Sequence, residues 1–423
     1  MNFIEELQWR GLLKEMTEGL EDALNQEGPK TAYIGYDPTA PSLTIGNLVT
    51  IMLLKHWQRA GYRPIVLLGG ATGRIGDPSF KDEERQLLDY NTLQANIDRQ
   101  TAQFKQLLDF EGDNPAILLN NYDFYKGMSI FDFLRDIGKN VTVSYMMAKE
   151  SVKKRLETGL SFTEFSYQLI QGNDFHHLNQ NYDCLLQMGG SDQWGNITTG
   201  TEFVRKGGGK GYGLVCPLLT KSDGKKFGKS EKGNIWLDAE KTSPYQFYQF
   251  WLNVDDADLS KLIRIFSLKS REEIEALEAE YAENPRGLKE VLAEEMTIRL
   301  HGKEALVSAQ KATNIAFSKK LKAEFLESLS AKDFAVLAQE LEVVKVEKKQ
   351  LDEGISLTDL LVGKHKSLGS NGDLRRAVKG GAIALNAKKV TDFNQELNSE
   401  DLLAERYLFC QNGKKNKFIV IAE

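Results

Sequence analysis

A strand–helix–strand pattern near the amino terminus limits the possible folds of this chain more than any other feature. Thr31–Tyr36 is a short β-prone run, a helical pattern extends from about Gly46 to Arg59, and Arg63–Leu68 is an apolar run that ends in Gly69-Gly70. Two strands joined by one helix pair in parallel, with a right-handed crossover. The sequence therefore predicts an α/β fold with a Rossmann-like parallel sheet.

Three later apolar runs predict further strands of the same sheet: Ala116–Leu119, Cys184–Met188 and Leu214–Leu219. Ligands of such sheets bind at the carboxyl ends of the strands. Three polar or glycine-rich segments, 33–37, 69–77 and 187–193, lie at predicted strand ends. We expect them to converge on one crevice.

The length of 423 residues suggests two or three domains. Residues 1–222 are expected to form the catalytic α/β domain, and apolar spacing predicts a helix within 3–26. Residues 223–345 read as a mobile loop followed by an α-helical domain. Residues 346–423 read as a small α+β domain, with strands at 382–385 and 418–421, and 343–350 read as a charged linker.

Composition excludes several classes of protein. A net charge of −6 argues against a generic nucleic-acid binder, although it allows a local basic surface. No apolar run approaches the roughly 18 residues of a membrane span. The three cysteines are far apart and the histidines lack ligand spacing, so we expect no protein metal site. With no signal-peptide pattern, a reducing cytoplasm is the expected location.

Two segments that are distant in sequence together suggest a binding site for a nucleoside triphosphate. Residues 38–47 form a turn of small residues that opens a helix, and residues 221–230 form a basic loop with glycine hinges. A helix N-terminus offers unpaired N–H groups and about half a positive charge to phosphate. Lys226, Lys229 and Ser230 could close over the phosphates from the loop.

Six motifs, taken in their order along the chain, carry a resemblance to a known family. They are Tyr33-Ile-Gly-Tyr-Asp37-Pro-Thr39, Gly69-Gly-Ala-Thr-Gly73-Arg-Ile-Gly-Asp77-Pro, Phe162-Thr-Glu-Phe-Ser-Tyr167, Gln171-Gly-Asn-Asp174, Gly189-Gly-Ser-Asp-Gln-Trp-Gly-Asn196 and Lys226-Phe-Gly-Lys-Ser230. This series closely resembles the bacterial tyrosyl-tRNA synthetases, a family of class I aminoacyl-tRNA synthetases. The resemblance spans essentially the whole chain and is dense from 31 to 250.

The resemblance implies a two-step ligase reaction. L-Tyrosine and ATP would form tyrosyl-adenylate, and the tyrosyl group would then pass to the 3′ end of tRNA(Tyr). ATP would enter as a substrate with Mg²⁺, without a metal held tightly by the protein. The carboxylate of tyrosine is itself the nucleophile, so catalysis would come from positioning and charge stabilisation.

The resemblance also assigns the tyrosine site. Tyr33 and Asp174 match positions that hold the phenolic hydroxyl, and Asp77, Tyr167 and Gln171 match positions that bind the α-ammonium group. Gln193 resembles the residue near the carboxylate. Tyr167, Gln171 and Asp174 follow one another at helical spacing, so one helix face can carry all three.

On the ATP side the resemblance assigns backbone, carboxylate and basic positions. The ATP-binding residues would be Gly35, Asp37, Gly46, Gly190, Asp192 and Lys229. The catalytic residues would be Thr39, Thr44, Asn47, Lys81, Arg85, Lys226, Lys229 and Ser230, the last three in a mobile KMSKS-type loop. Asp192 would accept the ribose hydroxyls, and Lys81 and Arg85 would reach the pyrophosphate.

One position departs from the family pattern. The helix start usually reads His-Ile-Gly-His or a near variant, and this chain has Thr44-Ile-Gly-Asn47. Thr44 can still donate a hydrogen bond but reaches less far than histidine. We expect ATP activation with a weaker phosphate contact.

The tail from about 355 resembles, more loosely, the small RNA-binding module of this family. Its candidate phosphate contacts are Arg375, Arg376, Lys379, Lys388 and Lys389. The family is also homodimeric, and Phe162 together with 130–137 resembles its interface. Those apolar residues could equally form a monomer core.

Other interpretations remain open from sequence. A related nucleotidyltransferase would share the phosphate turn but make a different adenylate or cytidylate. A non-catalytic RNA-binding paralogue would bind RNA without exchanging pyrophosphate, and Thr44 is its only support. A plain dinucleotide enzyme lacks the G-x-G-x-x-G motif after its first strand.

Overall fold

The computed structural model describes residues 2–79, 87–149, 152–153, 155–156, 159–230, 233–318, 321–413 and 416–423. The chain divides into two compact units. One contains Met1–Ser243 and Phe250–Leu300, and the other contains Pro244–Gln249 and His301–Glu423. The three-domain division expected from the sequence stays a prediction.

A six-stranded sheet forms the centre of the first unit, in the order β1-β6-β5-β2-β3-β4. Its strands are β1 Glu15–Met16, β2 Thr31–Tyr36, β3 Arg63–Leu68, β4 Ile117–Asn120, β5 Cys184–Gly190 and β6 Tyr212–Cys216. Only the β1–β6 pair is antiparallel among these neighbours. The predicted parallel α/β core is therefore confirmed.

The strand order places a ligand crevice at β2 and β5. From β2 the chain adds β3 and β4 on one side, and later β5 and β6 on the other. Crevices of open α/β sheets form where the order reverses in this way, at the carboxyl ends of the strands. β2 and β3 each bury five of six residues, as strands covered on both faces do.

The described part of the first unit also contains these helices: Phe3–Arg10, Leu20–Leu24, Ile45–Arg59, Tyr90–Leu107, Tyr122–Tyr125, Ile130–Asp132, Val143–Met147, Phe162–Tyr182, Trp194–Lys206, Asp256–Phe266 and Arg271–Glu280. Short 3₁₀ or π turns occupy Thr72–Arg74, Phe133–Ile137, Gly138–Asn140 and Ser191–Gln193. The two-stranded ladder β7 Lys229–Ser230 and β8 Gly233–Asn234 follows.

The helix predicted within 3–26 is wrong in its extent. The structure has the helix Phe3–Arg10, then β1, then the helix Leu20–Leu24. Gly11 (φ 72°) ends the first helix, and Gly19 (φ 83°) precedes the second. Both glycines adopt the left-handed region, where a helix cannot continue.

Two helices contain residues of both units, Pro244–Leu252 and Pro285–Phe317. The second is interrupted at Gly302, whose backbone is not helical (φ 85°, ψ 169°). The helices Ala323–Glu327, Ala331–Glu340, Lys348–Asp352 and Asn371–Lys379 belong to the second unit, as do a π turn Asp359–Lys364 and a 3₁₀ turn Ser399–Asp401.

The second unit contains a five-stranded sheet in the order β12-β11-β14-β15-β9 and a separate β10–β13 pair. Its strands are β9 Glu342–Val346, β10 Ile355–Ser356, β11 Ile383–Leu385, β12 Lys388–Lys389, β13 Glu396–Leu397, β14 Tyr407–Asn412 and β15 Asn416–Ala422. Its core buries Leu357, Leu374 and Phe418 completely. The small α+β domain predicted at the carboxyl terminus is therefore confirmed.

The linker predicted at 343–350 is wrong. Val343, Val344 and Val346 lie in β9, which pairs in parallel with β15, and the helix Lys348–Asp352 follows.

Across the described ranges, no helix combines the length and apolar character that crossing a bilayer requires.

Candidate active site

A cleft of about 600 Å³ opens at the carboxyl ends of β2 and β5. Fourteen residues predicted from the sequence line it: Tyr33, Gly35, Asp37, Thr39, Gly46, Asn47, Asp77, Tyr167, Gln171, Asp174, Gly190, Asp192, Gln193 and Lys226. Strand ends, a helix start and a basic loop thus meet at one site. Lys81 and Arg85 lie outside the described residues.

The deepest part of the cleft holds a tyrosine hydroxyl and a carboxylate. Tyr33 and Asp174 are each 1% exposed. Within the described part of the chain, the hydroxyl of Tyr33 has no hydrogen-bond partner. Burial, followed by the charge of Asp174, raises the pKa of Tyr33 well above its usual value. An unsatisfied buried hydroxyl is costly, so this atom is suited to a ligand.

Two neighbours hold the carboxylate of Asp174. The hydroxyl of Tyr125 lies 2.6 Å from Oδ1, and Nδ2 of Asn121 donates to Oδ2 at 2.9 Å. Burial raises the pKa of Asp174 to about 7, and these two hydrogen bonds oppose the rise. Asp174 therefore changes charge near neutral pH.

A second cluster of polar side chains surrounds Asp77. The Oδ2 atom of Asp77 accepts from Nε2 of Gln193 at 2.7 Å, and its Oδ1 atom accepts from the backbone N–H of Ser79 at 2.9 Å. The hydroxyl of Tyr167 donates to Oδ2 of Asp37 at 2.9 Å. Two carboxylates and a hydroxyl suit a cationic group of a ligand. Asp37, predicted on the ATP side, is thus joined to the residues predicted to bind the ammonium group.

Glycines allow close approach of the chain at this site. A Cβ at Gly69 would lie 2.1 Å from Oδ1 of Asp37, and one at Gly190 would lie 2.6 Å from Oδ1 of Asp192. Neither position leaves room for a side chain without moving a carboxylate.

The helix Ile45–Arg59 begins at the edge of the cleft. Oδ1 of Asn47 accepts from the backbone N–H of Thr44 at 3.0 Å and from its hydroxyl at 2.9 Å. Thr44 therefore helps to hold Asn47, which lines the cleft, at the helix start.

The loop predicted to be catalytic is tied to that helix start. The carbonyl of Gly228 accepts from Ile235 at 2.9 Å, and the carbonyl of Ile235 accepts from the N–H of Ile45 at 3.1 Å. Lys226 is exposed and lines the cleft, whereas Phe227 is buried against Trp251 and Phe266. Lys229 and Ser230 form β7. The aromatic contacts anchor the loop beside the lysines.

Sequence reasoning missed Asn121 and Tyr125, and it placed Thr72 and Gln187 only within segments expected to reach the crevice, without a role for either. Thr72, Asn121 and Gln187 line the cleft, and Tyr125 contacts Asp174. A usable signal existed for Asn121 and Tyr125. They follow β4, and the carboxyl end of that strand also lies at the crevice edge of the sheet.

The basic residues predicted to contact RNA lie in the second unit and are exposed: Arg375, Arg376, Lys379, Lys388 and Lys389. Arg375 stacks over Phe393 at 4.5 Å, and Lys388 pairs with Glu327 at 3.1 Å. Arg376 pairs with Asp373. Exposed pairs of this kind are weak and exchange readily for other anions.

Comparisons with known proteins cover the whole chain. Residues 25–318 match a family model described as tRNA synthetases class I (W and Y), and residues 333–420 match the tyrosine--tRNA ligase SYY-like C-terminal domain. A tyrosine--tRNA ligase of Porphyromonas gingivalis (strain W83) is 53% identical, and one of Bacteroides fragilis (strain ATCC 25285) is 50% identical, each with 100% of both chains covered.

A solved structure supports the same relationship. The chain resembles a C-terminally truncated mitochondrial tyrosyl-tRNA synthetase of Aspergillus nidulans with a TM-score of 0.67 and 29% identity. That match covers 75% of this chain and 94% of the other.

Proposed function

The chain belongs to the tyrosine--tRNA ligase family of class I tRNA synthetases and is an aminoacyl-tRNA ligase that uses ATP; we propose that the cleft described above performs both steps. L-Tyrosine reacts with ATP to give tyrosyl-adenylate and pyrophosphate, and the tyrosyl group then passes to the 3′ end of tRNA(Tyr). The observation that carries this proposal is one cleft lined by Tyr33, Asp174, the helix start at Gly46 and the loop residue Lys226.

The substrate phenol binds between Tyr33 and Asp174. Its hydroxyl donates to the carboxylate and satisfies the hydroxyl of Tyr33, which has no partner among the described residues. Phenylalanine would leave the Tyr33 hydroxyl without a partner, at about 1–3 kcal/mol for a buried group, and would give the carboxylate of Asp174 no further donor. The pocket therefore prefers tyrosine.

The other end of tyrosine reaches the group around Asp77. Its ammonium lies near Asp77, Tyr167 and Gln171, and the Oε1 atom of Gln171 is buried without a partner in the described part of the chain. Gln193, held by Asp77 at 2.7 Å, is positioned for the carboxylate. With the ammonium held in this way, the carboxylate is free to attack the α-phosphate of ATP.

ATP binds across the helix start and the loop. The Gly46 amide at the start of the helix Ile45–Arg59 faces phosphate, whereas the Ile45 amide already donates to the carbonyl of Ile235. Asp192 accepts the ribose hydroxyls. Lys226 and Lys229 supply positive charge as negative charge moves onto the leaving pyrophosphate. Thr39, Asn47 and Ser230 add hydrogen bonds, and Lys81 and Arg85 reach the pyrophosphate. The protein holds substrates in line and needs no nucleophile of its own.

Magnesium enters as the counterion of ATP. The described residues contain no group of three or more His, Cys, Asp or Glu side chains placed to hold a metal. Mg²⁺ bound to a nucleotide takes most of its ligands from phosphate oxygens and water, and it would neutralise charge on the phosphates.

tRNA contacts the second unit through the five exposed basic residues named above, with a salt-sensitive affinity.

The active protein is a homodimer. Large apolar side chains left exposed in the first unit, among them Phe131 and Phe162, support this part of the proposal. Three buried free cysteines support a reducing, cytoplasmic location, which cell fractionation would test.

Tyrosine-dependent ATP–pyrophosphate exchange tests the proposed function, with phenylalanine in place of tyrosine as the control. We expect exchange with tyrosine only, followed by charging of tRNA(Tyr). RNA binding without exchange would instead favour a non-catalytic paralogue. Exchange that needs a different acid would favour another nucleotidyltransferase.

A further inference from the structure

We propose that Tyr125 is a positioning residue for substrate recognition: its hydroxyl fixes the carboxylate of Asp174 and keeps that carboxylate an acceptor for the substrate phenol. The proposal rests on the proposed function, in which Asp174 receives the phenolic hydroxyl. Tyr125 itself does not contact substrate in this scheme.

The geometry around the Tyr125 hydroxyl favours donation to Asp174. The hydroxyl lies 2.6 Å from Oδ1 of Asp174 and 2.8 Å from the carbonyl oxygen of Ile170. It has one proton, and a charged acceptor binds that proton more strongly than a neutral carbonyl does. Asn173 approaches the same hydroxyl as a donor at 3.3 Å, which leaves the proton directed away from it.

Asn121 holds the other oxygen of Asp174 and is itself held by the turn at Ala71. Its Nδ2 donates to Asp174 Oδ2 at 2.9 Å and lies 3.1 Å from the hydroxyl of Thr72, while its Oδ1 accepts from the backbone N–H of Ala71 at 2.7 Å. Each carboxylate oxygen thus accepts one protein hydrogen bond. A carboxylate oxygen has two lone pairs, so each retains a site for a ligand.

Apart from Tyr125, the titratable groups that face Asp174 give its negative charge no hydrogen bond among the described residues. They are the carboxylate of Asp37 and the phenols of Tyr33 and Tyr167. Burial raises the pKa of Asp174 to about 7, Asp37 adds to the rise, and the hydrogen bonds from Tyr125 and Asn121 oppose it. Without the Tyr125 hydroxyl, this pKa rises further and more of the carboxylate is protonated at neutral pH.

The test compares Tyr125→Phe with Tyr122→Phe, which removes a hydroxyl from the same short helix without touching Asp174. Exchange is measured from pH 6.0 to 8.5 with tyrosine varied. For Tyr125→Phe we expect KM for tyrosine to rise about tenfold at pH 7 with a smaller change in kcat, because a hydrogen bond to a charged group has about this value. The acid limb of the kcat/KM profile should move to higher pH, and the defect should shrink at pH 8.5.

Two results would overturn the proposal: a profile identical to that of Tyr122→Phe, or an equal loss at every pH, which indicates a merely structural role. Wild-type exchange is measured first, so absence of exchange there counts against the proposed function and not against Tyr125. Should Tyr125→Phe fail to fold, Asn173→Ala replaces it. Loss of the Asn173 donor weakens the Tyr125 hydroxyl as a donor, so the acid limb should shift in the same direction by a smaller amount, and no shift would count against the proposal.

Discussion

A single buried carboxylate illustrates how recognition and stability conflict in this protein. In the proposed function Asp174 accepts a phenol as a charged carboxylate, yet it is almost completely buried and faces a second carboxylate, Asp37. Its pKa of about 7 means that the folded chain binds this proton more tightly than the unfolded chain does. The contribution of Asp174 to the free energy of unfolding is therefore greatest below the ordinary carboxyl pKa. It is lost as pH rises through about 7.

Asp174→Asn should therefore stabilise the chain at alkaline pH while abolishing tyrosine binding. Asparagine stays neutral, and the Tyr125 hydroxyl can accept from its amide while donating to the carbonyl of Ile170, 2.8 Å away. In urea unfolding without tyrosine, we expect the variant to exceed wild type by about 1–3 kcal/mol at pH 8 and to approach it at pH 4.5.

Asp123→Asn is the matched control for this prediction, because Asp123 is an exposed carboxylate on the neighbouring helix Tyr122–Tyr125. It should show no such pH dependence. An Asp174→Asn variant less stable than wild type at pH 8 would contradict the argument.

Site residues that belong to a sequence motif can be predicted from the sequence. Tyr33, Asp77 and Asp174 were named from the sequence, and the structure brings all three into one cleft. Their assigned roles stay predictions. The end of β4 indicates the segment that contains Tyr125 but not its role, because its hydroxyl meets Asp174 only through the packing of two helices separated by 36 residues in the chain (126–161).

At the scale of elements, the predicted catalytic loop and the phosphate-facing helix form one connected unit. Hydrogen bonds join Gly228 to Ile235 and Ile235 to Ile45. A Cβ added at Gly228 would lie 3.5 Å from the backbone nitrogen of Gly46, the amide expected to face phosphate.

Gly228→Ala should therefore impair the use of ATP and leave tyrosine binding intact. Gly228 has φ +83°, so alanine strains the loop, and its methyl group would also shield the Gly46 amide. We expect kcat/KM for ATP in exchange to fall about tenfold, which corresponds to about 1.4 kcal/mol. The dissociation constant of tyrosine, measured by equilibrium dialysis, should stay within about twofold of the wild-type value.

Gly224→Ala separates strain from shielding. Gly224 has φ +82°, and an added Cβ there meets no atom within 4 Å. The fall in kcat/KM for ATP should be clearly smaller in Gly224→Ala than in Gly228→Ala. Equal losses in the two variants would show that backbone strain alone explains the effect.

Elements with strong local signals were predictable, and those that depend on distant partners were not. β2 and β3 bury nearly all of their residues, so their apolar runs identify them. β9 alternates exposed Lys345 with buried Val344 and Val346, and its charges resemble a linker. Its partner β15 lies some 70 residues later, and no local pattern reveals that pairing.

For the whole molecule, apolar side chains on the first unit predict self-association. Phe131 is 79% exposed and Phe162 is 75% exposed. Their neighbours Phe133 and Phe165 pack on one buried cluster that contains Ile137, so the two exposed rings belong to one region of the surface. Exposed apolar patches of this kind mark interfaces.

Phe131→Glu should convert a dimer into a monomer, because a buried unpaired carboxylate would oppose association. Sedimentation velocity at micromolar concentration measures the change. Phe317→Glu replaces another ring that is 67% exposed, on the helix Pro285–Phe317, and should leave the dimer intact. A wild-type monomer, or a dimer that survives Phe131→Glu, would contradict the proposed interface.

Removal of the carboxyl-terminal region should separate the two steps of the reaction. The described lining of the cleft extends from Tyr33 to Phe227, all within the first unit, so a chain ending at Ser330 should retain exchange within about threefold of wild type and lose tRNA charging.

The position of the cut matters, because among the described residues the sheet partner of β9 is β15 alone. A chain ending at Val346 keeps β9 without that partner and exposes an unpaired apolar strand, so it should aggregate more than the shorter chain. Exchange and charging assays on both truncations, with light scattering to follow aggregation, test the argument. Full charging by the chain ending at Ser330 would show that the carboxyl-terminal region is not needed for tRNA.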